Sequence, residues 1–450
     1  MANITTTFGN MFRIEELKQR IIFTLVALLA VRVGSLISLP GIDTGLLDQL
    51  TKGGSADGGI FQIYNLFVGG AFENAAIFAL GIMPYISASI ILQIAGVVLP
   101  QLQRLQREGE DGRRKINQYT RLLTIPIAAL QSWGVAYKLI NDYSGQPVVV
   151  DPSFFWIICT VIILTAGTMG LMWIGEQITD RGLGNGISLI IFIGIISRLP
   201  DGLFQQFSTT PEDSTFGQQL VIGGIFLAML LGIIAVVILI TQGARRIPVQ
   251  YAKRVVGRKV YGGTTQYIPL RVNTAGVMPI IFAQSILFIP GTIAGFFPGV
   301  AFFDTVSNAL NPNSVLYSVL FGLMIVFFTY FYTAIAFNPK EVADNMKKNG
   351  GFIPGVRPGG PTSDYIENIL TRITLPGSIF LAIIAILPTF AMSVLRVQPQ
   401  LASFFGGTSL LIVVGVALDT LQQIESFLLM RHYDGFMKTG KIRGRAGVAS

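Results

Sequence analysis

The chain has 450 residues, of which 51% are hydrophobic and only 12% are charged, and its formal net charge is +8. Soluble domains carry about 25% charged residues, so this composition excludes an ordinary soluble protein and indicates a polytopic membrane protein. The single histidine, His432, and the single cysteine, Cys159, exclude a His-clustered metal site and an intrachain disulfide.

Ten apolar segments are candidate membrane spans. They cover residues 21–39, 75–99, 122–140, 154–174, 183–199, 220–240, 275–295, 315–337, 375–395 and 408–430. Met1–Arg20 is polar and the first span has no small-residue cleavage pattern, so we expect no cleavable signal peptide. With the N-terminus inside, 27 of the 32 Lys and Arg residues fall on the inner side. The positive-inside rule therefore predicts that both termini are cytoplasmic, and this basic surface would attract anionic lipid.

The first span carries Arg32 in its outer half. We expect this side chain to snorkel outward, the alternative being a place in the bundle interior. The next apolar segment, Ile60–Val68, is too short to cross a bilayer and is followed by two glycines. It fits either a re-entrant half-helix that acts as a stopper or an interfacial helix lying on the lipid.

The second span contains a helix break that recurs 195 residues later. Gly81–Leu92 and Gly276–Leu287 share seven of twelve aligned residues, including the Gly-x-Met-Pro start. Proline removes a backbone donor and clashes with the preceding turn, so we predict that each helix kinks or restarts there. Interrupted hydrophobic segments at matching places in two halves indicate a transport path at a repeat interface.

The glycine-rich stretch Gly175–Ser188 is interpreted as a tight inner turn, since its glycines permit positive φ. It leads into the fifth span, where Ile187 and Ile191 share one helix face. Ile82 and Ile86 form a similar pair in the second span. Such pairs indicate either packing or a constriction. Polar residues lie on or beside the interrupted helices, namely Gln93, Asn273, Gln284 and Ser285. They could form weak hydrogen bonds across a helix–helix seam.

Two inner segments are longer than a topology signal requires. Residues 241–274 alternate basic and apolar side chains around Gly262-Gly263, a pattern that predicts a β-hairpin. Residues 338–373 contain a proline- and glycine-rich tip that exposes Arg357. We interpret both as docking surfaces for RNA or an acidic protein. The basic candidates are Arg245, Arg246, Lys253, Arg254, Arg258, Lys259 and Arg357.

Seven motifs, in order along nearly the whole chain, resemble those of the SecY family, the channel subunit of the bacterial protein translocon. They are Gly81–Ser89, Gly112–Lys115, Gly175–Thr179, Gly184–Ser188, Phe337–Lys340, Ile353–Gly359 and Phe405–Leu411. The resemblance implies an all-α channel of ten transmembrane helices in two pseudo-symmetric five-helix halves, residues 1–200 and 201–450. It also implies a short re-entrant plug, about Ile60–Phe72, and a cytoplasmic β-hairpin.

The resemblance further implies functional residues. A ring of Ile82, Ile86, Ile187, Ile191, Met278 and Ile412 would seal the waist. The plug would present Ile60, Phe61, Ile63, Tyr64, Leu66 and Phe67. A lateral gate between the second and seventh spans would involve Ser87, Gln93, Phe282, Gln284 and Ser285. Expected partners are SecE, SecG, the SecA motor, the ribosome, signal peptides and nascent chains, in the bacterial plasma (inner) membrane.

The expected function is a passive protein-conducting channel without chemistry or a cofactor of its own. One alternative is an inverted-repeat small-solute transporter, which predicts a compact binding site at the midplane. The other is an intramembrane enzyme, for which the sequence offers no nucleophile–base pair or metal-binding set.

Overall fold

The protein is described by a computed structural model. The structure describes residues 14–47, 65, 68–141, 148–200, 216–251, 254–256, 259–261, 265–296, 305, 309, 314–395 and 408–439. Within these ranges the chain is mostly helical, with one three-stranded and one two-stranded β-sheet.

The first half of the chain contributes six helices in the described ranges. They are α1 (Glu15–Gly34), α2 (Met83–Val98), α3 (Pro100–Arg107), α4 (Glu110–Asn141), α5 (Phe154–Arg181) and α6 (Gly186–Ser197). Helix α2 ends at Val98, and Pro100 begins α3 in a new direction, so the axes of the two helices meet at 104°. Gly112 allows α4 to fold back on α3, since a Cβ there would collide with the carbonyl oxygen of Leu105.

The second half contributes α7 (Phe216–Thr241), α8 (Met278–Phe296), α9 (Val315–Ala336), α10 (Pro339–Lys348), α11 (Gly360–Leu395) and α12 (Thr408–Thr439). Its strands are β1 (Ala244–Tyr251), β2 (Arg254–Val256), β3 (Lys259–Tyr261), β4 (Thr265–Arg271) and β5 (Gly351–Phe352). The strands lie in the two segments that the sequence singles out as long inner loops.

Each copy of the repeated Gly-x-Met-Pro sequence begins a helix, which confirms the predicted restart. Helix α2 starts at Met83 and α8 at Met278, and in each the proline is the next residue, where its missing N–H costs nothing. The preceding glycines adopt φ values of +55° at Gly81 and +62° at Gly276, which only glycine tolerates readily.

Four helices within the described ranges are long and apolar enough to cross a membrane. These spans are Phe154–Arg181, Val315–Lys348, Gly360–Leu387 and Thr408–Leu428, and the bent pair of α2 and α3 would make a fifth. Shorter apolar helices cover Gly186–Ser197, Leu230–Thr241 and Met278–Phe288. The count of ten spans and the division into residues 1–200 and 201–450 stay predictions.

One large apolar core joins both halves. It contains residues from α1, α2, α5 and α6 together with residues from α8, α9, α11 and α12. Large side chains such as Ile195, Ile280 and Phe328 are almost fully buried there. Many other apolar side chains, for example Leu29, Leu239 and Val315, lie exposed on the outside, as expected for surfaces that face lipid.

Candidate functional site

The two restarted helices meet directly. Ser285 of α8 lies with its Oγ 3.9 Å from the Sδ of Met83 in α2, and both residues are buried. The Ser285 hydroxyl also donates to the carbonyl oxygen of Ile281 within its own helix. A hydroxyl has only one proton to donate, so the approach of Ser285 Oγ to the thioether sulfur across the seam is mainly a van der Waals contact. The repeat pair therefore forms a junction held largely by apolar packing.

The other expected gate residues lie on the same two helices. Ser87 and Gln284 are buried, and the Ser87 hydroxyl donates to Met83 O at 3.0 Å. Gln93 donates to Ser89 Oγ, while its own Oε1 is buried without a hydrogen-bond partner. Phe282 packs edge-on against Phe328 and Tyr332 of α9. Among these gate candidates, Ser285 is the one observed to make a side-chain contact between α8 and α2, which it makes to Met83.

The six expected ring residues belong to one apolar cluster. Four of them, Ile82, Ile86, Ile191 and Ile412, are at most 5% exposed, and Ile187 and Met278 are partly buried against the same cluster. They come from four elements, since Ile82 and Ile86 lie at the start of α2, Ile187 and Ile191 in α6, Met278 in α8, and Ile412 in α12. These helices pair as α2 with α8 and as α6 with α12. The ring candidates therefore lie where both halves contribute.

The six expected plug side chains lie outside the described residues. The segment that follows them is described and is held by two arginines. Arg32 of α1 donates to Gly69 O at 3.0 Å, and Arg198, which follows α6, pairs with Glu73. Gly69 lies against the backbone of α6, because a Cβ there would be 2.8 Å from Gly194 Cα.

The expectation that Arg32 snorkels outward is wrong. Its side chain turns into the bundle because the backbone carbonyl of Gly69, within the expected plug segment Ile60–Phe72, offers a hydrogen bond there. Arg32 also lines a small cavity with Val68 and the ring candidates Ile82 and Ile191. This cavity places the end of the expected plug segment next to the expected ring.

The two long segments, residues 241–274 and 338–373, share one sheet and one small core. Strand β1 pairs antiparallel with β4 and, on its other edge, with β5, while β2 pairs with β3. Ile247, Val249 and Leu270 from the first segment pack with Met346 and Ile353 from the second and with residues of α11. This small core, separate from the main one, makes the two segments a joint platform.

The basic docking candidates are distributed over this platform. Arg245 and Arg246 are exposed on β1, and Arg357 is exposed at the tip after β5. Arg254 lies in β2 and Lys259 in β3, whereas Lys253 and Arg258 lie outside the described residues. Exposed aromatic side chains, Tyr267 and Phe352, accompany the arginines.

Among the described residues, no group of three or more His, Cys, Asp or Glu side chains is placed to hold a metal ion.

Comparison with known proteins identifies the family. A family model described as SecY matches residues 76–421. The chain belongs to the SecY family. A relative from Streptomyces galbus, described as protein translocase subunit SecY, is 46% identical over 441 residues, which cover 96% of this chain and 100% of the relative.

Solved structures share the SecY-family fold. A structure described as a protein-conducting channel has a TM-score of 0.65 at 16% identity and covers 94% of this chain and 95% of its own. A Sec61 chain from a canine ribosome–channel complex of the endoplasmic reticulum has a TM-score of 0.62 at 15% identity, with the same coverages. The helical channel fold is therefore shared with these proteins.

Sequence reasoning missed several contacts that shape this SecY-family site. Nothing in Gly351-Phe352 marks it as the third strand of a sheet with residues about 100 positions earlier. The Arg198–Glu73 pair and the hydrogen bond from Gly184 to Gln423 also join residues far apart in the chain. The only local signal for the Arg198–Glu73 pair is that both charged residues lie near the ends of predicted spans.

Proposed function

We propose that the chain is the channel-forming subunit of a protein translocase, which moves unfolded polypeptides across the bacterial plasma membrane and releases transmembrane segments sideways into lipid. The observation that carries this proposal is the contact between the two restarted helices, α2 and α8, in a chain of the SecY family. Two matching helices that meet beside an apolar cluster can move apart to leave a slit, and this movement requires no chemical reaction.

The apolar ring supports transport of a chain with little ion leakage. Ions hold their hydration shells strongly, so a waist of aliphatic side chains is a barrier to them. An extended peptide can displace the same side chains one after another. The plug, Ile60–Phe72, would add a second seal from the side where Gly69 and Gly70 are anchored, and deletion of residues 60–67 should then raise ion conductance.

Sideways release follows from partitioning. At a helix centre leucine contributes roughly −0.5 kcal/mol, whereas lysine, arginine or aspartate costs roughly 2.5–3.5 kcal/mol. One charge thus offsets about five to seven leucines. A seam that opens to lipid can sort membrane segments from secreted ones without a dedicated recognition site.

The proposal includes the finer features of the family. Ten spans form two five-helix halves, both termini are cytoplasmic, and the platform formed by β1, β4 and β5 faces the cytoplasm. Its exposed arginines suit the SecA motor and ribosomal RNA, since guanidinium groups bind carboxylates and phosphates in bidentate fashion. SecE and SecG would complete the channel, and anionic lipid would surround its basic inner face.

A cross-link across the seam tests the function. In a Cys159→Ser background, Met83→Cys and Ser285→Cys put one thiol on each helix of the seam, at the two residues whose native Sδ and Oγ atoms lie 3.9 Å apart. Oxidation should stop export of a secretory precursor, and reduction should restore it. The matched control is Ser132→Cys with Thr165→Cys, whose native hydroxyls lie 3.5 Å apart within the first half. Export that continues through a fully cross-linked seam would overturn the proposal.

A further inference from the structure

The turn between α5 and α6 is bound by three different helices. Its backbone N–H groups donate from Leu183 to Thr24 Oγ1 of α1 (3.1 Å), from Gly184 to Gln423 Oε1 of α12 (2.9 Å) and from Gly186 to Thr179 Oγ1 of α5 (2.9 Å). Three N–H donors of one short turn are thus satisfied by side chains that belong to three different helices. Of these side chains, only that of Gln423 comes from the second half of the chain.

The turn has no room to move toward its neighbours. Gly184 has a φ of +77°, and a Cβ there would lie 3.1 Å from Thr420 Oγ1 of α12. At Gly186, a Cβ would collide with the carbonyl oxygen of Gly175. The glycines therefore let the backbone lie directly against α12 on one side and α5 on the other.

Apolar and cationic contacts close the same junction. Leu17 of α1, Leu183 of the turn and Ile424 of α12 are buried in one small cluster. Arg20 donates to Gly182 O at 3.3 Å and lies over the ring of Phe427, 5.1 Å from its centroid. The junction thus joins the first helix, the turn and the last helix.

The turn determines where α6 begins. Asn185 caps the helix by accepting from the N–H groups of Ile187 and Ser188, so the first ring candidate of α6 follows the anchored turn immediately. Ile191 lies one helical turn later. A slip of one residue in α6 would shift its side chains by about 1.5 Å along the axis and rotate them by about 100°.

We propose that Gln423 is a positioning residue for the apolar ring. By accepting from Gly184, it fixes the axial and rotational position of α6 against α12, and therefore that of Ile187 and Ile191 against Ile412. This inference rests on the proposed function, because it assumes that these side chains seal the channel. It assigns a task to the inner turn that is separate from the gate seam between α2 and α8.

The test compares two substitutions at one position. Gln423→Met keeps the side-chain length but removes the acceptor, whereas Gln423→Glu keeps an oxygen that can accept from Gly184. Loss of one such hydrogen bond should shift the equilibrium between the anchored and displaced positions of α6 on the order of fivefold. Ion leakage through proteoliposomes containing Gln423→Met should therefore rise about fivefold. Gln423→Glu should leak like the parent, as should the control Gln422→Met, and all three should keep export and abundance.

A second measurement reports the position of α6 itself. In a Cys159→Ser background, Ile191→Cys should react faster with a water-soluble thiol reagent when Gln423→Met is also present. Unchanged reactivity together with unchanged leakage, or equal leakage for the Met and Glu variants, would overturn the inference.

One further variant separates this inference from the proposed function. Ile412→Ala removes part of the ring directly and should raise leakage. If Ile412→Ala leaks and Gln423→Met does not, the positioning role is refuted while the channel function stands. If Ile412→Ala does not leak, the ring assignment fails, and the positioning role fails with it.

Discussion

Replacing Gly81 with alanine tests how closely the start of α2 is coupled to Val68, which lies within the expected plug segment. The φ of Gly81 is +55°, and this left-handed conformation costs an L-residue about 1–2 kcal/mol. The new Cβ would lie 2.9 Å from Val68 Cγ2, closer than carbon atoms approach without repulsion. Val68 must therefore move, and Val68 lines the cavity next to Ile82.

The internal repeat supplies a matched control. Gly276 has nearly the same conformation, with a φ of +62°, but among the residues that the structure describes, apart from its two chain neighbours, none has an atom within 4 Å of an added Cβ. Gly276→Ala therefore carries the same backbone cost as Gly81→Ala without displacing a neighbour. The comparison separates the effect of backbone strain from the effect of moving Val68.

We expect both substitutions to lower the free energy of unfolding by about 1–2 kcal/mol, measured by denaturation in detergent micelles. Only Gly81→Ala should increase ion leakage in planar bilayers, because only it displaces Val68. Equal leakage from the two variants would show that strain alone opens the seal. A Gly81→Ala channel as tight as the parent would refute the coupling between Val68 and the ring.

Three further predictions concern contacts away from the seam. Arg198→Met should increase ion leakage, because it frees Glu73 from the end of α6. The loss of stability should be at most about 1 kcal/mol, since the Arg198–Glu73 pair is partly exposed. Exchanging the two residues, with Arg198→Glu and Glu73→Arg combined, should reverse part of the increase in leakage. Gly351→Val should detach β5, because its Cβ would lie 2.9 Å from Tyr251 Cε1, and limited proteolysis of residues 338–373 should become several-fold faster. Arg357→Glu should weaken motor-driven export more than it lowers channel abundance, and equal losses would identify a structural residue.

The sequence predicts those parts of the structure that depend on local chemistry. Helices begin at Met83 and Met278, directly before Pro84 and Pro279, because proline cannot continue a helix from the preceding turn. The strands in residues 244–271 follow the alternation of basic and apolar residues. The family resemblance, and not residue spacing, predicts a ring that includes Ile82, Ile191 and Ile412, and the structure places these three residues in one apolar core. Their role as a seal stays a prediction.

The sequence could not predict contacts whose partners are far apart in the chain. The direction of Arg32 depends on a carbonyl at Gly69, which local hydropathy does not reveal. The bend between α2 and α3 could not be predicted, because local sequence does not show that Pro100 starts a new helix and does not simply end the span. Gln423 looks like an ordinary polar residue near the end of the last span, and only the folded chain brings it to Gly184.

The pairing of β5 with β1 predicts where suppressor mutations should arise. Because one sheet and one small core contain both long segments, a lesion in either segment disturbs the surface presented by the other. Second-site suppressors of a defect near Arg357 should therefore arise in residues 244–251, even though about a hundred residues of sequence, including the helices α8 and α9, separate the two segments.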